Sequence, residues 1–553
     1  MIKRQSIRRW EPMRDVFQGK KRIAQQKFFG GPGGNFSKTP PGRRRQKETG
    51  TLLLAFLFFV LSFVLHAGAA QDIDYAALDK YIGKTVKDFE VVGLSIAIVK
   101  DGAVVFDKNY GCKDYEKKDK VGGNSLFNIA SCSKAFTAAC IGILVQEGKL
   151  AWKDKVIDYL PEFRLSDPYI TRELTIKDLL CHRSGLETFG GDLLWYETGY
   201  DSKEIIRRMR YIPVKRQFRS EYGYQNNMYI VAGAVIEKVS GKSWGEFLSE
   251  KILQPLEMKT TRFSGKQVDE KMDVAYPHIG QKKYPRWIQP ENPAASLFSS
   301  SSEMANWIRM LLDGGKWKDR QILESGTIAE LFSSQTIRRV SSFAKKNGTR
   351  FRAYGLGWGL YDYYGEKIVE HSGGMPGYIS KVMLVPDRNL GVVILTNNMK
   401  YLTTVLRYKI LDLFLQRDGK KDWAAEFLEI EKKYEKRRQA RQEKRAAERV
   451  KRTRPALKLK EYVGVFEDRM YGKAEVVFKE KKLFLTLLPT KEVFTSRMEH
   501  WHYNTFRVKF KDDFLPDGYV TFGFDSHGKV TGFKIDLPNP DFHFRNLDFK
   551  KAK

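Results

Sequence analysis

The chain has 553 residues, of which 42% are hydrophobic and 13% aromatic, so it is long enough for two or more domains and too apolar to be disordered throughout. Its formal net charge of +31 is concentrated in two segments: residues 1–50 carry 14 basic against 3 acidic side chains, and residues 429–454 carry 12 against 5. Such segments are typical of solvated tails and exposed helices that contact anionic membrane or cell-wall polymer, and the composition therefore argues against a nucleic-acid partner.

An apolar run over residues 51–65 is the first element along the chain. Four basic residues precede it between 43 and 47, and small residues follow at 67–70, which is the pattern of a secretory signal peptide. The run is shorter than the roughly 20 apolar residues that a spanning helix needs. We therefore predict an exported protein, periplasmic or extracellular, with residues 51–70 either cleaved as a signal peptide or kept as an anchor behind a basic tail at 1–50.

From residue 71 the patterns are those of a mixed α/β domain, which we place at 71–417. Strands and helices are predicted at both ends of this stretch, with a mainly helical and loop-like middle. They are a helix at 73–89, strands at 92–99, 103–108, 368–371, 378–385 and 391–396, and a closing helix at 402–415. This arrangement predicts one sheet built from the two ends of the domain and faced by a helical region.

A charged helix and a strand-rich segment complete the chain. Residues 422–454 have little apolar face and end before Pro455, so we interpret 418–455 as a charged helical linker. Short alternating strands then recur between Gly and Asp turns, at 462–466, 474–478, 483–487, 506–510, 519–524 and 530–535. Their close, even spacing predicts a small β domain over 456–553, a barrel or a sandwich, and we assign it as a barrel.

The sharpest chemical signal is Ser131-Cys132-Ser133-Lys134, followed by an apolar helical run. If Ser131 begins that helix, Lys134 lies one turn further on the same face, whereas Ser133 faces away. A serine hydroxyl needs a neighbouring base, and a desolvated lysine can lose its proton and serve as that base. The spacing alone is weak, because a serine at a helix start is more often a simple cap.

Three further motifs accompany this one in the chain. They are Leu179 to Leu186, which contains His182, Tyr222-Gly223-Tyr224-Gln225-Asn226-Asn227, and His371-Ser372-Gly373-Gly374. Their order and spacing resemble the β-lactamase-related serine hydrolases: class C β-lactamases, DD-peptidases, D-aminopeptidases and related esterases. Over roughly residues 73–415, the resemblance implies a penicillin-binding-protein-like fold, an antiparallel sheet plus a helical region. It also implies acyl-enzyme chemistry on peptide, amide or ester bonds, such as those of cell-wall D-amino-acid peptides.

The resemblance assigns catalytic roles residue by residue. It makes Ser131 the acylated nucleophile and Lys134 its base partner, while Tyr224 passes a proton to the leaving group. Tyr222 is the alternative tyrosine if the motif is read two residues earlier. The resemblance makes His182 part of a structural turn. The C-terminal segment resembles the lipocalin-like domain that shapes access to the cleft in some of these peptidases.

The remaining assignments concern substrate binding. Asn226 would orient Lys134 and the substrate amide, and His371 and Gly373 would line the cleft on an edge strand. The backbone N–H groups of Ser131 and Gly374 would form the oxyanion hole. Class C β-lactamases usually have Lys-Thr-Gly in place of this His-Ser-Gly. Histidine can donate a hydrogen bond to a substrate carboxylate but is mostly neutral at pH 7, which argues against antibiotic hydrolysis.

Two alternatives stay open. One is a class C-like β-lactamase, and the other is a catalytically idle penicillin-binding-type protein that binds cell wall or acts as a sensor. The second is opposed by the joint presence of Ser131, Lys134, Tyr224 and Asn226. We predict no metal or cofactor, because His500 and His502 share a strand face without a third ligand. The four cysteines are expected to be buried free thiols.

Overall fold

A computed structural model describes residues 73–552 of the chain, apart from 287, 289 and 418. The basic tail and the apolar run predicted as an export segment, residues 1–70, lie outside these described residues. Within the described part, no helix combines the length and hydropathy needed to cross a membrane.

In the sequence, most of the helices lie between the first two and the last three strands of the central sheet. They are Tyr75–Asp88 (α1), Ser133–Gln146 (α2), Val156–Tyr159 (α3), Pro168–Glu173 (α4), Ile176–Leu180 (α5), Ser202–Arg208 (α6), Asn227–Ser240 (α7), Trp244–Leu248 (α8), Ser301–Leu312 (α9), Ser325–Leu331 (α10), Ser342–Lys346 (α11), Leu402–Phe414 (α12) and Trp423–Ala447 (α13).

The strands before residue 400 form one large sheet and three small two-stranded pairs. They are Gly93–Lys100 (β1), Ala103–Gly111 (β2), Phe127–Asn128 (β3), His278–Ile279 (β4), Lys282–Lys283 (β5), Phe298–Ser299 (β6), Lys316–Trp317 (β7), Arg320–Gln321 (β8), Thr336–Ile337 (β9), Arg352–Tyr354 (β10), Gly359–Tyr363 (β11), Glu366–Met375 (β12), Tyr378–Val385 (β13) and Leu390–Thr396 (β14). The large sheet has the order β2-β1-β14-β13-β12-β11-β10-β9. Strand β1 pairs antiparallel with β14, so the two ends of the domain meet inside one sheet. This confirms the predicted antiparallel sheet.

Helices cover both faces of this sheet, which explains why strand β1 is apolar almost throughout. Leu94, Ile96 and Ile98 belong to a core shared with α1 and α12. Ala97 and Val99 point the other way, into the core shared with α2 and α9. Because successive side chains of a strand alternate between faces, a strand covered on both sides loses its polar positions.

The C-terminal strands close into an eight-stranded barrel. They are Gly464–Asp468 (β15), Gly472–Lys479 (β16), Lys482–Leu487 (β17), Thr495–His502 (β18), Thr505–Val508 (β19), Gly518–Phe524 (β20), Val530–Asp536 (β21) and Phe549–Lys551 (β22). The sequence analysis missed β18, which is rich in polar residues, and β22, which has only three residues. Strand β22 pairs with both β15 and β21 and thereby completes the barrel that was predicted.

The charged helix α13 begins as a packed element and only later becomes exposed. Trp423 is 2% exposed, and its ring stacks on Tyr408 at a centroid distance of 4.1 Å. Its Nε1 donates a hydrogen bond of 2.6 Å to Asp412. The first turns of the segment that we interpreted as a linker therefore anchor it to α12, because Trp423, Ala424 and Phe427 are buried there before the charged part of the helix begins.

The barrel is joined to the helical region through the carboxylate of Asp512, which is 4% exposed. The hydroxyl of the buried Tyr196 donates to this carboxylate at 2.8 Å. The hydroxyl of the half-buried Tyr284 donates to its other oxygen at 2.5 Å. One barrel side chain thus accepts hydrogen bonds from two tyrosine hydroxyls of the other domain.

Replacing Asp512 by alanine is expected to lower the free energy of unfolding by about 2–4 kcal/mol, because two phenol hydroxyls lose their acceptor. Thermal unfolding of the full chain measures this. The control is Asp513→Ala, which removes only an exposed ion pair with Lys282 and should change stability by less than about 0.5 kcal/mol. Equal effects of the two substitutions would contradict the role of Asp512.

Candidate active site

Ser131 lies in a tight turn that leads into helix α2. The sequence analysis considered it as the first helical residue, but a 3-10 turn covers Ala130–Cys132 and α2 begins at Ser133. Ala130 has a φ of +47°, a left-handed conformation that is uncommon outside glycine. Such backbone strain costs free energy and tends to persist at functional sites, where the surroundings hold it in place.

The side chain of Lys134 is fully buried and reaches back to Ser131. Its Nζ lies 3.0 Å from Ser131 Oγ, 2.6 Å from Asn226 Oδ1 and 2.9 Å from the carbonyl oxygen of Ala294. The last two oxygens can only accept hydrogen bonds, so a neutral lysine amine gives its hydrogens to them and directs its lone pair at the serine. Burial lowers the pKa of Lys134 to about 7, although the charge of Asp192 works in the opposite direction.

Asp192 was missed by the sequence analysis, and it sets the orientation of Asn226. Asn226 Nδ2 donates to Asp192 Oδ2 at 2.6 Å. Because a carboxylate accepts, the amide nitrogen faces Asp192 and the amide oxygen faces Lys134. Asp192 is 2% exposed, and burial raises its pKa to about 7. Its only sequence signal was the preceding Gly190-Gly191 pair, which indicates a turn and no chemistry.

Of the two candidate tyrosines, Tyr224 is the one beside Ser131 and Lys134. Lys134 Nζ lies 4.8 Å from the centroid of the Tyr224 ring. Burial raises the pKa of Tyr224 well above its ordinary value, although a hydrogen bond with Ser131 works in the opposite direction. The phenol therefore stays protonated. The ring of Tyr222 instead packs under the guanidinium of Arg338 at 4.5 Å.

His182 supports the tyrosine loop from behind. Its ring centroid lies 4.2 Å from that of Tyr224, and its Nδ1 accepts the backbone N–H of Gln225 at 3.1 Å. Burial, followed by the charge of Lys134, lowers the pKa of His182 well below its ordinary value. A neutral buried ring with these contacts positions the loop.

The segment that contains Gly373 and Gly374 lies on β12 beside the Ser131 turn. Strand β11 pairs with β12 only as far as Glu370, so the rest of β12 has a single neighbouring strand, β13. Strand β12, which was predicted as an edge strand, is thus internal to the sheet as far as Glu370 and has one unpaired edge beyond it. A Cβ on Gly373 would lie 2.1 Å from the carbonyl oxygen of Ile129, so only glycine permits this close approach.

His371 is buried, and both of its ring nitrogens are engaged. Nδ1 lies 2.8 Å from the carbonyl oxygen of Ser372, and Nε2 lies 2.8 Å from the hydroxyl of Tyr354. Since a carbonyl only accepts, Nδ1 carries the proton and Nε2 accepts from the tyrosine. Burial, followed by the charge of Lys134, lowers the pKa of His371 to about 3. In this arrangement the ring is neutral and has no free N–H for a substrate carboxylate.

These groups surround a cavity of about 580 Å³. Its walls come from both domains. The α/β domain contributes Ser131, Tyr222, Tyr224, Asn226, His371 and Gly374, and the barrel contributes Phe514, Asp541 and Phe542. The barrel therefore forms part of the wall of the cavity that contains Ser131.

Within the described residues, no group of three or more His, Cys, Asp or Glu side chains is arranged to hold a metal ion. His500 Nε2 is 3.0 Å from the carbonyl oxygen of Tyr503, and His502 Nδ1 accepts the backbone N–H of Val450 at 3.2 Å. The four cysteines are unpaired: Cys132, Cys140 and Cys181 are buried, and Cys112 is half-buried.

Two family models match this chain. The model described as Beta-lactamase matches residues 78–413, which contain all four motifs. A second model, described as a domain of unknown function (DUF3471), matches residues 448–551, where the barrel lies.

Named relatives are similar to the chain at low identity. Unguisins hydrolase ungD' of Aspergillus campestris is 28% identical over 452 residues, which are 76% of this chain and 80% of that protein. Protein flp of Staphylococcus aureus is 27% identical over 345 residues, 60% of this chain and 65% of that protein. The octameric penicillin-binding protein homologue from Pyrococcus abyssi superposes with a TM-score of 0.55 at 24% identity, over 87% of this chain and all of that one. At that identity the superposition concerns the fold alone.

Proposed function

This chain belongs to the beta-lactamase family, and on that premise we propose that it is a serine hydrolase that forms an acyl-enzyme at Ser131 with peptide, amide or ester substrates. The observation that carries the proposal is the set of three contacts made by Lys134 Nζ. Asn226 and Ala294 accept the hydrogens of the neutral amine, so its lone pair is directed at Ser131. A relative named for hydrolysing unguisins supports hydrolysis as the reaction class.

Acylation begins as Ser131 Oγ attacks the substrate carbonyl carbon and Lys134 accepts the hydroxyl proton. The carbonyl oxygen gains negative charge, which the backbone N–H groups of Ser131 and Gly374 stabilise as the oxyanion hole. Tyr224 gives its phenol proton to the leaving group while the scissile bond breaks, and it regains a proton from Lys134. Water then attacks the acyl carbon and gives a proton to the same groups, which pass it to Ser131 Oγ as the bond between Oγ and the acyl carbon breaks and the acid product is released.

Three further residues act by position. Asn226 holds the Lys134 amine with its oxygen, and Asp192 prevents the amide from flipping. Gly373 allows β12 to lie against the Ser131 turn. His371 joins that strand to Tyr354. Asn226, His371 and Gly373 thereby shape the surface on which the substrate is oriented.

The proposal predicts a specific pH dependence of ester hydrolysis. With 4-nitrophenyl butyrate and the full chain, kcat/KM should rise with pH through about 7, the lowered pKa of Lys134, and then level off. The direction follows because only the deprotonated amine accepts a proton. At pH 5, kcat/KM should be roughly a hundredfold below the plateau. Spontaneous hydrolysis is subtracted with Ser131→Ala. A flat profile between pH 5 and 8 would contradict Lys134 as the base.

We also propose export, and contact of the basic segments 1–50 and 429–454 with anionic membrane or cell-wall polymer. Export rests on residues 51–70 of the sequence, which lie outside the described residues. The second basic segment includes the exposed part of α13, whose charged side chains point to solvent.

A further inference from the structure

Two arginines stand side by side on the wall of the Ser131 cavity. Arg338 follows strand β9 and Arg352 begins β10, and the backbone N–H of Arg338 donates to the carbonyl oxygen of Arg352 at 2.9 Å. The guanidinium of Arg338 lies 4.5 Å from the ring centroid of Tyr222, and that of Arg352 lies 5.9 Å from that of Tyr361. Both rings also line the cavity. The two cations are thus held at one side of it.

This pair of cations is short of negative charge among the described residues. Neither guanidinium forms an ion pair with a carboxylate of these residues. The acid on the same wall, Glu370, is already engaged by Arg407 at 3.1 Å and by Lys381 at 3.7 Å. Burial, followed by the charge of Arg338, lowers the pKa of Arg352, although the charge of Glu370 works in the opposite direction. The two like charges thus lie near each other in a partly desolvated place.

The other basic side chains at or just behind this wall are occupied. Both ring nitrogens of His371 are engaged. The amine of Lys381 donates to Ser372 Oγ at 2.6 Å, and Arg407 is committed to Glu370. The arginine pair is therefore the cationic group of this wall that is available to a ligand.

We propose that Arg338 and Arg352 form a carboxylate-binding subsite, and that the substrates of this site are peptides or esters that carry a carboxylate. Planar guanidinium groups bind carboxylates through paired, charge-assisted hydrogen bonds. A bound carboxylate would also relieve the repulsion within the pair. The inference rests on the proposed function, because it names the substrate class of the same site. It gives the arginines the carboxylate-binding role that the neutral, fully engaged ring of His371 cannot fill.

Matched esters test the subsite by activity. The full chain is assayed with neutral 4-nitrophenyl butyrate, with the 4-nitrophenyl monoester of glutaric acid, and with 3-(butyryloxy)benzoate. The second carries its carboxylate in the acyl group and the third in the leaving group, so the preferred ester shows on which side of the scissile bond the arginines bind. We expect one charged ester to exceed the neutral one in kcat/KM by about tenfold or more. About 1 M salt screens the charges and should therefore reduce the ratio of kcat/KM for the charged ester to that for the neutral ester.

Substitution of the arginines then tests the assignment. Arg338→Gln and Arg352→Gln are each expected to lower the ratio of charged to neutral kcat/KM by about tenfold. The matched control is Arg339→Gln, the adjacent exposed arginine, which should keep the wild-type ratio. A ratio near one for both charged esters, or a preference that survives both substitutions, would overturn the subsite.

A binding measurement keeps this test separate from the proposed function. The affinity of 3-(butyryloxy)benzoate and of glutarate monobutyl ester is measured by calorimetry with Ser131→Ala, alone and combined with Arg338→Gln. At least one ligand should bind about tenfold more weakly to the double variant. Equal affinity for both ligands would overturn the subsite. Failure of all three esters to be hydrolysed, with arginine-dependent binding retained, would contradict the hydrolase proposal and leave the anion site supported.

Discussion

Replacing Ser131 by alanine is expected to reduce ester hydrolysis by roughly 10⁴-fold or more, to the level of the uncatalysed reaction. The reason is that Lys134 then has no hydroxyl proton to accept, and no acyl bond can form with the protein. The measurement is kcat/KM for 4-nitrophenyl butyrate, together with the intact mass of the full chain after incubation with benzylpenicillin. Thermal unfolding should be nearly unchanged, because the substitution removes one oxygen beside a cavity.

The matched control is Ser133→Ala. Ser133 is fully buried, and its hydroxyl accepts the backbone N–H of Leu297 at 3.2 Å, away from the cavity. We expect this variant to keep most of its activity. Undiminished hydrolysis by Ser131→Ala would refute the assignment of Ser131 as the nucleophile. A lasting penicillin adduct absent from that variant would indicate a penicillin-binding peptidase, whereas antibiotic consumed without an adduct would favour the β-lactamase alternative.

Replacing Lys134 by methionine is expected to lower kcat/KM by about 10²–10⁴-fold, the usual contribution of a positioned base. Methionine matches the length of the lysine stem but cannot accept a proton or satisfy Asn226 and Ala294. The rise of activity through about pH 7 should disappear with the amine, which a pH series from 5 to 9 measures.

The control for this variant is Lys149→Met, just beyond the end of α2, where the side chain is 48% exposed and pairs with Glu147. It should leave both the rate and its pH dependence unchanged. If kcat/KM of Lys134→Met still rises with pH near 7, the titrating group is Asp192, whose pKa burial raises to about 7. That result would make the buried carboxylate, and not the amine, the group that sets the pH dependence.

Much of the fold could be predicted because its signals are local. Short, largely apolar runs marked the strands that became β1, β13 and β14, and the sheet built from both ends followed from their positions. Strand β18 was missed because its local composition is polar. The packed start of α13 was missed because residues 422–454 were interpreted as one charged segment, although the first turns contain Trp423 and Phe427. Their burial depends on contacts with residues far along the chain, such as Trp423 on Tyr408.

The sequence by itself determined the fold class, the barrel and the identity of the candidate nucleophile and base, because strand patterns are local and the order and spacing of the four motifs are visible in the chain. The tertiary structure decided what surrounds them. Asp192 lies 34 residues before Asn226, and only folding brings its carboxylate to the amide that orients Lys134. Folding likewise brings the Tyr354 hydroxyl to His371 Nε2 and places Arg338 beside Arg352. Burial and hydrogen bonding between distant segments set the protonation and availability of a side chain, and spacing along the chain does not encode them.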